Sequence, residues 1–216
     1  RPILIRLSIV VRPILAFLLK GSTFTDPIDG RSFKMFLPYG YGNQRNNVLS
    51  PSTLSLERHR LLWLYLINET DFFQSELDSD SSFKQPKSFK LRDTETSSVL
   101  KVLHFAPEQA FYKLFRNQKN IDYTTTDLFS PLADVKADIC NLPFKDNSYD
   151  IIFADPPYDM TRIAEIADLV MEQGILNTAG VLIIEHASLQ NISNGKGYQE
   201  TRTYGSTSFS FFKLLA

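Results

Sequence analysis

Residues 99–127, VLKVLHFAPEQAFYKLFRNQKNIDYTTTD, decide the fold of this chain. The first eight of them, 99–106, are mostly apolar, and this pattern predicts a buried strand. Pro107 and Glu108 then predict the first turn of a helix, because proline fits the first helical position and an acid is favoured at the positive end of a helix. The run 122–126 predicts a second strand. A strand, a helix and a strand in this order indicate two parallel strands joined by a right-handed crossover.

The alternation continues to the end of the chain. The predicted elements are a short third element ending at Asp138, a strand over 149–154, a helix over 161–176, a turn over 177–180, a strand over 181–186, and a hairpin formed by 198–204 and 208–214. Repeated β–α–β units predict an α/β, Rossmann-like fold: a mostly parallel sheet with a C-terminal antiparallel hairpin and a small N-terminal appendage. Ligands bind such sheets at the carboxyl ends of the strands.

Changes in composition divide the chain into three segments. Residues 1–73 form the N-terminal segment, with a helix predicted over 54–73 and Ser55 as its N-cap. Residues 74–98 are rich in Ser, Asp and Lys and predict a flexible linker. Residues 99–216 form the α/β domain.

The opening residues, RPILIRLSIVVRPILAFLLKG, are apolar with interspersed arginines and no acid. Their longest apolar run is far shorter than the roughly 18 residues of a membrane span. Two interpretations stay open: a helix that packs on the protein, which we favour, or an amphipathic segment that lies on a membrane surface or a partner.

Composition and charge narrow the class of protein. Hydrophobic residues are 43% and charged residues 22%, as in an ordinary globular domain, and the net charge is −1. The first 60 residues nevertheless carry +6, which favours an anionic partner such as RNA bound by a local basic patch, although a solvated basic face is the alternative. A lone Cys140 excludes an intramolecular disulfide and fits a reducing compartment, so we expect a cytoplasmic protein.

Two proline turns, 26–29 and 50–53, have the spacing of zinc-ribbon knuckles. The four positions where such knuckles carry cysteine are Asp26, Asp29, Ser50 and Thr53. Structural zinc sites use thiolate and imidazole ligands, so we expect no zinc here. The other interpretation is a pair of proline-containing turns.

Acidic residues after the predicted strands suggest a nucleoside ligand. Asp127 lies 19 residues after Glu108, and an acid at about this spacing commonly binds ribose hydroxyls. Asp138 can accept a hydrogen bond from an adenine amine. The G-x-G-x-x-G motif of dinucleotide sites is absent from the first turn, but Ala106 is small enough to allow close approach.

The stretch 21–155 resembles the class I S-adenosylmethionine-dependent methyltransferases. VLHFAPEQAFYKLF, IDYTTTDL and ADICNLPFKDNSYDIIF are similar to a subgroup of the methyltransferase type 11 group in which Ala-Pro-Glu replaces the glycine-rich first motif. The resemblance implies S-adenosylmethionine as the cofactor. The contacts that it implies are Asp127 to the ribose, Asp138 with Ile139 to the adenine, Ala106 in the place of the first glycine, His104 in the place of an often acidic residue, and Glu108 and Leu128 beside them.

The C-terminal part, 149–212, resembles the family that methylates guanine N2 of 16S ribosomal RNA. The resemblance rests on DIIFADPPYD, GVLIIEH and TYGSTSFSFF. It implies ribosomal RNA as the substrate, and Asp155, Pro156, Pro157 and Tyr158 as the catalytic residues.

The Asp-Pro-Pro-Tyr sequence has a chemical reason. A base amine is a poor nucleophile because its lone pair is delocalised into the ring. Asp155 and the carbonyl of Pro156 can accept hydrogen bonds from that amine and localise the lone pair, while Tyr158 offers a face on which a flipped-out base stacks. The alternative is a structural Pro-Pro turn with Asp155 as a helix cap.

Other interpretations remain. His59 and His104 lack the spacing of a metal site and are typical of core or capping residues. Glu185 and His186 either line the substrate mouth or form a satisfied pair at the sheet edge.

Two other functions stay open for the protein as a whole. A type 11 methyltransferase acting on a small molecule or lipid is the first alternative, since the N-terminus is apolar and basic. A non-catalytic hybrid of the two motif sets is the second.

Overall fold

The structure, a computed structural model, describes residues 11–40, 44–68, 99–116 and 121–214. The chain divides into two units, and each is described by itself. Unit 1 contains Arg1–Ser97 and Gln109–Leu114, and unit 2 contains Ser98–Glu108 and Phe115–Ala216. The linker predicted over 74–98 lies outside the described residues.

Among the described residues 11–40 and 44–68, unit 1 holds two small antiparallel sheets and two helices. These are α1 (11–18), β1 (Lys20–Thr25) paired with β2 (Ser32–Phe33), β3 (Leu37–Tyr39) paired with β4 (Arg45–Leu49), and α2 (Glu57–Asn68). Trp63 of α2 is completely buried, and its Nε1 donates a hydrogen bond to the carbonyl of Pro27 at 3.0 Å. This bond fixes the helix to the first proline turn.

Helix α2 begins later than predicted, and Ser55 does not cap it. Leu54 has a φ of 61°, which is left-handed and cannot continue into a helix. The Nδ1 atom of His59 accepts the hydrogen bond of the Leu56 amide at 3.0 Å, while the Ser55 hydroxyl donates to Asp26. His59 is therefore a buried capping residue, one of the two structural roles considered for it.

Hydrogen bonds to a buried carboxylate join the two proline turns of unit 1. Asp26 is fully buried, and its Oδ2 accepts from the hydroxyls of Thr53 and Ser55 at 2.5 and 3.2 Å. Its Oδ1 accepts from the amide of Ile28 at 2.9 Å. Burial raises the pKa of the neighbouring Asp29 carboxyl, and a hydrogen bond with Ser52 partly offsets the rise. Residues at the knuckle positions thus connect the turns directly.

Several apolar side chains of α1 are exposed, whereas Leu15 and Ala16 are half-buried, so the packing that we expect for this segment is at most partial in its described residues. The exposed fractions are 56% for Ile14, 79% for Phe17 and 59% for Leu18. Residues 1–10 of the same segment lie outside the described part of the chain. No helix among the described residues combines the length and the hydropathy needed to cross a membrane.

Unit 2 is built on a six-stranded mixed sheet, which confirms the predicted fold class. Its elements are β5 (Leu100–Phe105), β6 (Ile121–Thr126), β7 (Tyr149–Ala154), α4 (Ala164–Glu172), β8 (Leu176–Ala187), β9 (Tyr198–Tyr204) and β10 (Thr207–Phe212), and α3 (Gln109–Arg116) follows β5 in the chain. The strand order is β6-β5-β7-β8-β10-β9, in which the first four strands are parallel and β10 is antiparallel to both of its neighbours.

Helix α4 is shorter than predicted, and the turn predicted over 177–180 is wrong. Gly174, with a φ of 63°, ends the helical region, and β8 begins at Leu176. Between the pairs Tyr149–Leu176 and Ile151–Val181, five positions of β8 span two of β7. The polar residues 177–180 therefore form an irregularity inside a strand, although they have the composition of a turn.

The third element, predicted to end at Asp138, is not a strand in the described part of unit 2. Only isolated bridges occur there, such as Thr126 with Val135. The segment is held instead by the Asp134 carboxylate, whose Oδ2 accepts from the amide and hydroxyl of Thr125 at 3.0 and 2.9 Å and from Arg116 at 2.7 Å. These bonds lower the pKa of Asp134, although desolvation acts in the opposite direction and is the largest single contribution.

The C-terminal hairpin forms as predicted, with the two strands joined at Gly205 and Ser206. Residues of β5, β7, α4, β8 and β10 make one apolar core beneath this sheet; its fully buried members include Leu103, Ile152, Ala167, Val170, Leu182, Ile184 and Phe212. A tightly packed core of this kind holds the strand ends in fixed positions.

Candidate active site

Predicted site residues follow the ends of three neighbouring strands. Ala106 follows β5, Asp127 follows β6 and Asp155 follows β7, and β5 is the central strand of the three. Since these strands are parallel, their carboxyl ends meet at one edge of the sheet, which we call the site edge. The structure thus brings the expected cofactor residues and the Asp-Pro-Pro-Tyr sequence to the same edge.

Ala106 adopts a backbone conformation that favours glycine. Its φ is 52°, and its amide donates to the carbonyl of Thr126 at 3.1 Å, which ties the end of β5 to the end of β6. Pro107 is buried and Glu108 is half-buried before the start of α3. The left-handed conformation at Ala106 is the one that a glycine-rich first motif would adopt most easily.

We expect Ala106→Gly to stabilise the protein by about 0.5–1 kcal/mol. Glycine removes the left-handed strain of roughly 1–2 kcal/mol but adds chain entropy to the unfolded state. Urea unfolding of the two proteins measures the difference. Ala110→Gly, inside helix α3, is the matched control and should destabilise. A lower unfolding midpoint for Ala106→Gly would contradict the φ at this position.

Asp127 uses one carboxylate oxygen to shape its own loop. Its Oδ1 accepts from the amides of Phe129 and Ser130, both at 2.6 Å. Within the described residues, no hydrogen bond to Oδ2 is formed. The next two side chains are exposed, Leu128 by 47% and Phe129 by 89%. The loop therefore presents a carboxylate oxygen beside exposed apolar groups.

The second expected acidic contact, Asp138, is exposed, whereas Asp127 is half-buried. Asp138 accepts from the amide of Cys140 at 2.9 Å, and the carbonyl of Ile139 accepts from Gln173 at 2.8 Å. Repulsion from Asp138, then its hydrogen bond, raises the pKa of the Cys140 thiol. A protonated thiol is a weak nucleophile, so this arrangement gives no support to cysteine catalysis.

His104 lies inside the sheet. It is fully buried, its Nδ1 is hydrogen-bonded with the Tyr123 hydroxyl at 2.7 Å, and its ring packs edge-on against Phe153 with centroids 4.8 Å apart. This placement fits the core role considered for His104. It does not place the imidazole at the open rim, where a side-chain contact with the cofactor would be made.

The Asp-Pro-Pro-Tyr sequence forms a turn at the end of β7. Asp155 is half-buried, Pro156 is buried, and the amide of Met160 donates to the Pro157 carbonyl at 3.0 Å. Helix α4 begins only at Ala164, and its N-terminus has no side-chain cap. Asp155 is therefore not a helix cap, which was the structural alternative for this residue.

Tyr158 is 40% exposed, but its hydroxyl is hydrogen-bonded to two buried residues. The hydroxyl donates to Oε1 of Glu185 at 2.6 Å and is hydrogen-bonded with the Thr207 hydroxyl at 3.0 Å. Glu185, in β8, is completely buried. The sequence did not reveal Thr207, because 49 residues separate it from Tyr158 and only the pairing of β10 with β8 brings it close.

His186, the neighbour of Glu185, has different partners. Its Nε2 is hydrogen-bonded with the Ser210 hydroxyl at 2.9 Å, and its Nδ1 with the carbonyl of Ala187 at 2.9 Å. The two residues therefore do not act as a pair. Burial lowers the pKa of His186, and the bond to the Ala187 carbonyl offsets this only in part.

The depressed pKa of His186 predicts a stability that falls in acid. The folded protein binds the proton less readily than the unfolded chain, so the contribution is complete above about pH 6.5 and is lost as the pH falls below it. Urea midpoints measured between pH 7.5 and 5.5 should decrease. His186→Gln keeps a hydrogen-bonding group but does not titrate, and it should show a smaller decrease. An equal decrease in both proteins would assign the effect to other groups.

Residues 106–213, half of the chain, match the protein family described as Conserved hypothetical protein 95. The chain belongs to this family. It is a class I S-adenosylmethionine-dependent methyltransferase, and S-adenosylmethionine is its methyl donor. The match to the Conserved hypothetical protein 95 family includes Ala106 and Asp127, and so begins well before the stretch 149–212 that carried the resemblance to the guanine-N2 enzymes.

Solved structures with some similarity to the chain include two bacterial proteins. A candidate methylase from Haemophilus influenzae shares 16% identity, with a TM-score of 0.44 over 56% of this chain and 89% of the other. A methyltransferase from Aquifex aeolicus shares 10% identity, with a TM-score of 0.43 over 53% of this chain and 82% of the other. Comparison with curated proteins gave no match.

Proposed function

We propose that this methyltransferase transfers a methyl group to an exocyclic amine of a nucleic-acid base, and that the amine is N2 of a guanine in ribosomal RNA. The observation that carries the proposal is the placement of Asp155-Pro156-Pro157-Tyr158 directly after β7 at the site edge, one strand from Ala106. Methyl transfer to oxygen or carbon does not require two acceptors for N–H groups.

The chemistry follows from the groups in that turn. Asp155 and the main-chain carbonyl of Pro156 accept hydrogen bonds from the two N–H groups of the amine, which directs its lone pair away from the base. The amine gains positive charge as the new N–C bond forms, so the bond to the Asp155 carboxylate strengthens toward the transition state. The carboxylate is also the acceptor in place for the proton that the methylated amine loses.

The site edge fits S-adenosylmethionine. Ala106 provides a small side chain at a left-handed turn, so a ligand can approach the backbone closely. Asp127 offers a carboxylate oxygen for the ribose hydroxyls, and Asp138 with Ile139 provides polar and apolar groups for the adenine. When bound, the cofactor supplies the electrophilic methyl sulfonium. Glu108 and Leu128 complete the contacts that we assign to the cofactor.

Loss of the Asp127 carboxylate should weaken cofactor binding. We expect Asp127→Ala to reduce the binding free energy of S-adenosylmethionine by about 1.5–3 kcal/mol, the range for hydrogen bonds to a charged group. Because Oδ1 also shapes the loop, Asp127→Asn is the companion variant, and it should retain part of the affinity. Calorimetry measures both proteins, and unchanged affinity in both would remove Asp127 from the ribose site.

Exposed basic side chains in unit 1 support RNA as the partner. The described basic residues there include Lys20 and Lys34, which are exposed, and Arg31 and Arg45, whose side chains are 67% and 65% exposed despite ion pairs with Asp29 and Glu57. Lysine and arginine side chains supply the phosphate contacts that dominate RNA affinity. Binding through these residues should therefore weaken steeply with salt.

A second candidate function, methylation of a small molecule or lipid, has one observation in its favour. Helix α1 exposes Ile14, Phe17 and Leu18 beside Lys20, and an apolar face with a basic border suits a lipid surface. This candidate leaves the Asp-Pro-Pro-Tyr turn without a chemical role.

One labelling experiment with three separate acceptors determines the class of the methyl acceptor. The protein is incubated with methyl-labelled S-adenosylmethionine and either 30S particles, deproteinised ribosomal RNA or a total lipid extract. We expect label in the RNA arms that is lost after ribonuclease treatment. Label in the lipid arm alone would favour the second candidate. Protein heated to denaturation provides the background.

A further inference from the structure

We infer that Glu185 and Thr207 are positioning residues that hold the Tyr158 ring in the orientation needed to stack on the substrate base. This inference rests on the proposed function, because it concerns the ring that we assign to base stacking. Neither residue reaches the sheet surface: Glu185 is completely buried and Thr207 is 6% exposed. They therefore act on the substrate through Tyr158.

The hydroxyl of Tyr158 is fixed by two neighbouring strands. Glu185 lies in β8, opposite Phe209 of β10. Thr207 lies in β10, opposite Ala187 of β8, and both pairs belong to one continuous antiparallel ladder. The acceptor, Glu185, and the second partner, Thr207, thus lie on two strands that are paired directly with each other. The distance of 2.6 Å between the Tyr158 hydroxyl and Oε1 of Glu185 is at the short end of the range for a hydrogen bond between two oxygen atoms.

The main chain of Tyr158 is held separately by Gln190. The amide nitrogen of the Gln190 side chain donates to the carbonyls of Tyr158 and Met160 at 3.3 and 3.1 Å, and its Oε1 accepts from the amide of Ala187 at 3.2 Å. The turn is therefore tied to the end of β8 while the hydroxyl is tied to its interior. With both ends fixed, the exposed ring face is pre-organised before a base arrives.

This geometry changes what is expected of a phenylalanine at position 158. A ring that needed only its face would tolerate the change, whereas an anchored ring loses its orientation. We expect Tyr158→Phe to raise the KM for RNA by about five- to twentyfold, a part of the stacking contribution. The kcat at saturating RNA and the affinity for S-adenosylmethionine should change less than twofold.

Variants of Glu185 separate positioning from a direct chemical role. Glu185→Leu removes the acceptor and should raise the KM by no more than Tyr158→Phe does. The double variant should be no worse than Tyr158→Phe alone, since that change already removes the bond to Glu185. Glu185→Gln keeps an acceptor oxygen and should restore most of the lost affinity. If Gln is as damaging as Leu, or if the double variant multiplies the two effects, the positioning role is overturned.

Thr207→Val provides a second test if Glu185→Leu does not fold, because it keeps the volume and removes only the hydroxyl. Thr207→Val should raise the KM by a smaller factor than Tyr158→Phe. Added to Tyr158→Phe, it should raise the KM no further. The control is Glu172→Gln, an exposed carboxylate on α4, which should leave both kinetic constants unchanged. An unchanged KM in Thr207→Val together with an unchanged KM in Tyr158→Phe contradicts the inference.

A measurement without substrate tests the hydrogen bonds of the Tyr158 hydroxyl separately from the proposed function. In protein labelled with 13C at tyrosine Cζ, the Tyr158 signal is assigned by its loss in Tyr158→Phe. We expect it to shift in Thr207→Val and Glu185→Gln but not in Glu172→Gln. If the Tyr158 signal shifts while the wild type methylates no RNA, the two hydrogen bonds are present and the substrate assignment is wrong. If the signal does not shift, Glu185 and Thr207 do not hold the Tyr158 hydroxyl.

Discussion

Replacement of Asp155 by alanine should lower kcat by about 10²–10³ at saturating cofactor and RNA, the cost of removing one pre-organised hydrogen-bonding group from a transition state. The affinity for S-adenosylmethionine should remain within about twofold of wild type, because the carboxylate is assigned to the amine and its bond strengthens only as the amine becomes cationic. Single-turnover methylation separates this step from product release.

Asp159→Ala is the matched control for Asp155→Ala. It removes a carboxylate from the same loop, four residues later and exposed, and it should leave the rate unchanged. If Asp155→Ala keeps nearly the full rate while Asp127→Ala abolishes methylation, the Asp-Pro-Pro-Tyr turn is only structural. The small-molecule or lipid function would then be the better account of the enzyme.

The second large effect is expected from Gly197→Ala, which should destabilise the protein by about 2–5 kcal/mol. Gly197 has a φ of 81°, and a Cβ atom there would lie 2.2 Å from the carbonyl oxygen of Lys213. Left-handed strain and a backbone clash each cost about 1–3 kcal/mol. The strand end cannot move away freely, because the amide of Lys213 donates to the Gly197 carbonyl at 2.9 Å.

Gly205→Ala provides the comparison for Gly197→Ala. Gly205 also has a positive φ, 64°, but nothing lies within 4 Å of the position that its Cβ would occupy. It should therefore cost only the conformational strain, about 1–2 kcal/mol. Urea unfolding of both variants measures the difference between them. Equal losses would show that Lys213 does not approach Gly197 as closely as the structure has it.

Several strands of unit 2, such as β5 and β7, could be predicted from the sequence because they are short, mostly apolar runs with polar borders. The run 149–154 is the clearest case, since β7 begins and ends at those residues. The ends of α4 and β8 could not be predicted so well. The residues after α4 have the composition of a turn, and only their pairing opposite β7 shows that they belong to a strand.

The chemistry of the site was partly visible in the sequence. Asp155 and Tyr158 belong to a motif whose residue types suggest their roles, a carboxylate that accepts hydrogen bonds from an amine and a ring that stacks on a base. The partners of Tyr158 could not be found in that way, because Glu185 and Thr207 are 27 and 49 residues distant along the chain. Likewise, the buried role of His104 depends on Tyr123 in the adjacent strand, which only the sheet register places beside it.

The position of the methyl group on the product nucleoside distinguishes guanine-N2 methylation from transfer to any other atom. RNA treated with the enzyme and deuterium-labelled S-adenosylmethionine is digested to nucleosides, which are separated and analysed by mass spectrometry. We expect labelled N2-methylguanosine, formed by the wild type and reduced about 10²–10³-fold in Asp155→Ala. Label on a ribose oxygen or a ring carbon, or label that Asp155→Ala forms at the wild-type rate, would contradict it.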